Sequence, residues 1–239
     1  MKRKLMNDLL AWKTKQHRKP LLLLGARQVG KTWLLNEFGE KHFSKVVNIR
    51  FDKNPVMRAA FEKDYDIQRL LTALQLEAGF RITAEDTLVI FDEIQTCPAA
   101  LTSLKYFCEE ASEYAIAAAG SLLGVAEHSG TGFPVGKVDR LYLYPMTFME
   151  FLDATGHELY AKLIADGDWS MMETFHDKIA ALLRYYYFVG GMPEAVVSYA
   201  EFGDFGMVRQ IQEALLVDYS DDFEKHATKS MAASVSMVP

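Results

Sequence analysis

The chain has 239 residues, half of them hydrophobic, and a formal net charge of −6. That apolar content supplies one sizeable core, or a core with a small helical lobe, and the acidic balance excludes a basic nucleic-acid coat. No apolar run reaches membrane-spanning length, and no apolar segment follows the charged N-terminus as a secretory signal requires. The two cysteines, Cys97 and Cys108, fit no metal spacing, so a reduced, cytoplasmic chain is the expectation.

Residues 1–19 read as a basic helix around Leu5, Leu9, Leu10 and Trp12. Lys2, Arg3, Lys4, Lys13, Lys15, Arg18 and Lys19 crowd this segment against Asp8 alone. A solvated helix face and a patch for nucleic acid or an acidic partner both fit that pattern. Leu21–Leu24 is an apolar run after Pro20, as in a buried parallel strand. Then comes Gly25-Ala26-Arg27-Gln28-Val29-Gly30-Lys31-Thr32, which meets every fixed position of the phosphate-loop pattern G-x-x-x-x-G-K-[ST]. The two glycines let the backbone wrap a phosphate, and the following helix, expected to about Gly39, adds its positive dipole end. Lys31 is placed to reach the β- and γ-phosphates, and Thr32 to hold Mg²⁺. Arg27 either touches nucleotide or pairs with a neighbouring acid. A nucleoside triphosphate is the expected ligand.

A second strand is expected over 46–51, then helices over 55–62 and 67–78. Leu88-Val89-Ile90-Phe91-Asp92-Glu93 is an apolar strand ending in two carboxylates. It would put Asp92 at the carboxyl edge of the sheet, where open parallel sheets bind ligands, to orient Mg²⁺, with water completing the shell. Glu93 next to it suits the base that polarises an attacking water, favouring hydrolysis over transfer to a metabolite. The plainer reading is that both acids open a helix. The sixty residues between Lys31 and Asp92 exceed one crossover helix, so a strand must intervene. A helix from Pro98, a strand at 115–119 and a strand at 141–144 complete an α/β pattern. Beyond Thr147 only helices are expected, over 148–153, 170–189, 194–199 and 207–223, with Gly190-Gly191-Met192-Pro193 as a turn. The tail 227–239 is expected to be disordered or truncated. Trp12, Trp33 and Trp169 read as core or hinge packing. The acids Asp218, Asp221, Asp222 and Glu224 read as a solvated helix face.

The series GARQVGKT, LVIFDEIQ, AAAGSLLG, FPVGKVDRLYLYPMTFMEFL and YYYFVGGMPEAV resembles prokaryotic ATP-binding proteins of the AAA class, in which an ATPase domain precedes a C-terminal region of unknown function. The resemblance spans about residues 20–226. It implies a three-layer P-loop NTPase with a mostly parallel five-stranded sheet (1–146), followed by a small helical lid lobe (147–226). It also implies a polar sensor residue after the fourth strand, which falls on Ser121, a residue that equally suits a cap for a helix at Leu122-Leu123. Many relatives carry Gly-Arg before the Leu-Tyr-Pro strand. Here the pair is Gly136-Lys137, and Arg140 follows, so these two cations are the candidates for an arginine finger. Relatives also continue past Pro239. The expected function is hydrolysis of ATP to ADP and phosphate to drive a conformational change in an unknown protein or DNA client, with ATP and Mg²⁺ as cofactors and no membrane partner. Adenine rather than guanine rests on the resemblance, and the sequence leaves the oligomeric state open. The alternatives are a slow nucleotide-dependent switch or binding module, a phosphotransferase, and a truncated nucleotide-binding fragment without activity.

Overall fold

The computed structural model describes residues 1–121 and 133–226, with side chains to residue 221. The tail 227–239, the segment after Ser121 where a capped helix was expected, and the side chains of Asp222 and Glu224 lie outside the described residues. The chain divides into two compact units, residues 5–143 and residues 1–4 with 144–239.

In the first unit, five strands form one parallel sheet: β1 (Leu21–Gly25), β2 (Lys45–Arg50), β3 (Thr87–Asp92), β4 (Ala115–Ser121) and β5 (Asp139–Tyr142), in the spatial order β2-β3-β4-β1-β5. Among the described residues the helices are α1 (Leu5–Thr14), α2 (Lys31–His42), α3 (Pro55–Lys63), α4 (Ile67–Ala78) and α5 (Pro98–Glu110), with a 3-10 turn at Ile94–Thr96. Alternate strand residues face opposite ways, and both faces are covered. Leu22, Leu24, Val89, Phe91, Ile116 and Ala118 pack with α3, α4 and α5. Leu21, Leu23, Leu88, Ile90, Ala117 and Ala119 pack with α1 and α2. Every residue of β1, β3 and β4 is buried. This two-sided burial explains why those strands read as continuous apolar runs.

The strand that intervenes in sequence between the two motifs is β2, yet β2 is the outer edge of the sheet. The strand standing between them in space is β4. The fifth strand also lies two residues earlier than expected. Asp139 N–H bonds Pro20 O at 3.0 Å, and Leu143 N–H still reaches Leu24 O at 2.8 Å before Pro145, which has no N–H, ends the pairing.

The second unit is helical: α6 (Phe148–Ala154), α7 (Glu158–Asp166), α8 (Trp169–Thr174), α9 (His176–Val189), α10 (Pro193–Phe202) and α11 (Phe205–His226). One cluster centres on Met146, Phe151, Val189, Ala195, Val196 and Val208, and a smaller one on Leu152, Ala161 and Leu182. Two expectations are corrected here. The single helix over 170–189 is two helices that break at Phe175, whose ring packs edge-on against Tyr160 at 6.1 Å. A further helix, α7, occupies a stretch that was passed over; it closes on Gly167 in the left-handed conformation. Trp12 is core, 4% exposed, but Trp33 and Trp169 are 39% and 77% exposed, so neither is core packing. Trp169 begins a six-residue helix that buries none of its residues.

Candidate functional site

The phosphate loop is shaped by three positions. A Cβ on Gly25 would collide with the Leu143 carbonyl oxygen, so the strand's last residue has no room for a side chain. Gln28 (φ 60) and Gly30 (φ 96) are both left-handed. Left-handed residues in a tight loop turn successive N–H groups to one side, the geometry of an anion-binding nest. Val29 between them is fully buried and pins the loop to the core beneath α2. Arg27 is exposed. Gly30 caps α2 with its backbone, and its carbonyl accepts from Leu34 N–H at 2.9 Å. Lys31 follows as the first helical residue. It is 8% exposed, and its ammonium donates to the carbonyl oxygens of Gly25 at 3.0 Å and Ala26 at 2.7 Å.

Sixty residues further on, β3 delivers Asp92 to the same place. Thr32 Oγ1 lies 3.0 Å from each Asp92 carboxylate oxygen and donates to the pair. Asp92 is 2% exposed. Burial pushes its pKa above the ordinary aspartate value; the Thr32 hydroxyl opposes that push and the neighbouring Glu93 charge adds to it. Two hard oxygen donors that converge in this way suit Mg²⁺, which keeps several waters and takes few protein ligands. Among the described residues no group of three or more His, Cys, Asp or Glu forms a larger metal cage.

Glu93 stands in the left-handed region at φ 51, ψ 43. For a residue other than glycine this costs on the order of 1 kcal/mol or more and persists only where the surroundings enforce it. They do so here: Thr96 gives both its N–H (2.9 Å) and its hydroxyl (2.8 Å) to the Glu93 carbonyl. Ser121 ends β4 in register with Gly25, so it lies at the mouth of the loop.

Thus Gly25 to Thr32, Asp92, Glu93 and Ser121 gather at the carboxyl edge of the sheet, where open parallel sheets bind ligands. The two finger candidates do not join them. Lys137 pairs with Glu109 at 2.9 Å. Arg140 aligns with Leu22, three residues before the loop, and lies over the Phe133 ring at 4.8 Å.

Two residues at this edge had no role assigned from the sequence, although Gln95 closes the stretch LVIFDEIQ. Gln95 donates to Glu93 and accepts from Ser121 N–H. Arg50 ends β2 in register with Asp92 and pairs with Asp52 at 3.0 Å. Its guanidinium pKa is raised by that bond first, against the opposing effect of burial, and then by the charges of Asp52, Asp92 and Glu93. Sheet register brings Arg50 beside Asp92, whereas Gln95 stands two residues after Glu93 in the turn that follows β3.

A family model described as an AAA domain matches residues 17–152, more than half of the chain. No curated protein matches the sequence. Among solved structures, the Walker-type ATPase paby2304 of Pyrococcus abyssi is similar at a TM-score of 0.55 and 16% identity, covering 93% of this chain and 75% of that one. The ORC1 protein of Aeropyrum pernix, solved in complex with DNA, is similar at a TM-score of 0.41 and 15% identity, over 66% of this chain and 48% of that one. Cdc6p from Pyrobaculum aerophilum gives a TM-score of 0.41 at 20% identity, over 66% and 48%. With its phosphate loop at the edge of a five-stranded parallel sheet, the chain belongs to the AAA domain family of ATP-binding P-loop ATPases.

Proposed function

We propose that this chain hydrolyses ATP to ADP and phosphate and uses the cycle to change the conformation of a partner. The observation that carries the reading is the Thr32–Asp92 contact, 3.0 Å to both carboxylate oxygens, with Glu93 next in sequence. Lys31 and the loop amides would bind the phosphates, giving up carbonyl contacts for charged oxygens. Thr32 and Asp92 would hold Mg²⁺, which when bound neutralises phosphate charge. Glu93 would accept the proton of the attacking water, and Ser121 would hydrogen-bond the terminal phosphate or that water. Residues 1–146 would serve as the ATPase core and 147–226 as a lid. Catalysis of this kind rests on positioning and charge more than on covalent chemistry.

The test is Mg²⁺-dependent ATP hydrolysis by the purified chain. Lys31→Ala should lose nucleotide affinity. Glu93→Gln should bind ATP normally and lose turnover by about 100-fold or more, the scale of a general base. Wild-type turnover in Glu93→Gln would remove that residue from the mechanism.

A second reading, a slow switch that a partner accelerates, is favoured by the finger candidates. In this chain Lys137 pairs with Glu109 and Arg140 lies over Phe133, so a charge-neutralising side chain supplied by another copy or by a partner fits this reading. Turnover that rises with protein concentration or with an added partner would support it. DNA is the weaker partner candidate. Lys13, Arg18 and Lys19 donate to backbone carbonyls, Lys15 pairs with Asp139, and Arg3 with Glu150. Lys15 and Arg3 are thus paired with acids within the molecule, while Lys13, Arg18 and Lys19 are tied to uncharged carbonyls. Equal turnover with and without DNA is the expected result.

A further inference from the structure

Gln95 is held by two groups that belong to different elements of the site. Its side-chain nitrogen donates to Glu93 Oε2 at 2.5 Å, and its side-chain oxygen accepts from Ser121 N–H at 3.3 Å. The partners fix the amide's orientation: an ionised carboxylate only accepts and a backbone N–H only donates, so a reversed amide would lose both bonds. The one amide therefore bridges the carboxylate and the end of β4. Ser121 stands in register with Gly25, where the phosphate loop begins. Glu93 sits in a left-handed conformation that depends on its neighbours. A ligand that displaces the end of β4 would therefore disturb that bridge and change the hold on the carboxylate.

We propose that Gln95 is a positioning residue that couples the end of β4 to the Glu93 carboxylate, so that the terminal phosphate of a bound nucleotide, felt at Ser121, sets the direction of Glu93. This rests on the assignment of Glu93 as the water-activating base and adds to it the part that aims it. A misplacement of about 1 Å at a reacting centre costs on the order of 100-fold in rate. Gln95→Ala should therefore lower kcat by tenfold or more while ATP affinity and the thermal midpoint stay near wild type. A loss of fold would move all three together. Gln95→Glu keeps the volume but sets a carboxylate against Glu93, and should lose rate in the same way.

The coupling itself is read without turnover. In the full chain labelled with ¹⁵N-serine, Glu93→Ala should shift the Ser121 amide resonance when Gln95 is present and leave it unmoved in a Gln95→Ala background. ATP with Mg²⁺ should shift that resonance further than ADP does. A Ser121 shift of equal size in both backgrounds, or wild-type kcat in Gln95→Ala, would overturn the proposal. Absent turnover in the wild type, with the background-dependent shift intact, would instead remove hydrolysis and leave the coupling standing.

Discussion

Asp92 is 2% exposed and keeps Thr32 as its hydrogen-bond donor, yet burial still raises its pKa above the ordinary value. The native state therefore holds this proton more tightly than the unfolded chain does. The stability that Asp92 contributes is complete below its unfolded pKa, about 3.9, and is lost as pH rises through its higher folded pKa. Asp92→Asn keeps the shape and still accepts from Thr32 but carries no charge. Its urea midpoint should exceed that of the wild type at pH 7, and the gap should close as the pH is lowered toward 4. A gap that widened on acidification would mean that the carboxylate is stabilised by its site. The same variant should lose its response to Mg²⁺, so the native acid would be a case of stability given up for function.

The turn between α9 and α10 shows how a whole element can hang on a position without a side chain. Gly190 has φ 75 and ψ −169, a conformation open essentially to glycine. Gly191 accepts from Met146 N–H at 2.6 Å, and a Cβ there would collide with the Met146 carbonyl oxygen and nitrogen. The Tyr186 hydroxyl donates to that same Met146 carbonyl at 2.8 Å. Gly191→Ala must push backbone against backbone and should cost about 1–3 kcal/mol, the usual range for overpacking. Urea denaturation checks it, and unchanged stability would mean that the turn shifts freely. This turn was legible in the sequence because paired glycines and a proline punctuate it. The phosphate loop, β3 and α4 were legible because a pattern of fixed positions, a buried apolar run and a clear helical period each leave a local mark. The break at Phe175 left none, since no glycine or proline stands there; its ring meets Tyr160, fifteen positions back. Gln95 lies inside LVIFDEIQ, but its contact with Ser121, 26 residues away, leaves no local mark.

At the scale of the molecule, the chain begins in the helical unit, leaves it for the sheet, and returns at Tyr144. The pair that ties the first residues in place is Arg3 with Glu150, at 3.1 Å across 147 residues, with both side chains almost fully buried. Arg3 also donates to the Tyr144 carbonyl, and Glu150 accepts from the backbone N–H groups of Lys4 and Thr147 at 2.8 Å each. Burial pushes the Glu150 pKa up, but those N–H groups and the Arg3 charge outweigh it and hold the carboxyl below its ordinary range. Its stability is therefore present above the unfolded pKa and lost as pH falls through the folded one. Arg3→Ala leaves a buried carboxylate without its cation and should cost about 3–5 kcal/mol. Arg3→Ala with Glu150→Gln removes the stranded charge while the amide oxygen still accepts from Thr147, so it should recover part of that loss. Amide exchange at Thr147 reads the result directly: fast in the single variant and slower in the double. Equal exchange in both would mean that the first four residues are held by packing rather than by this ion pair.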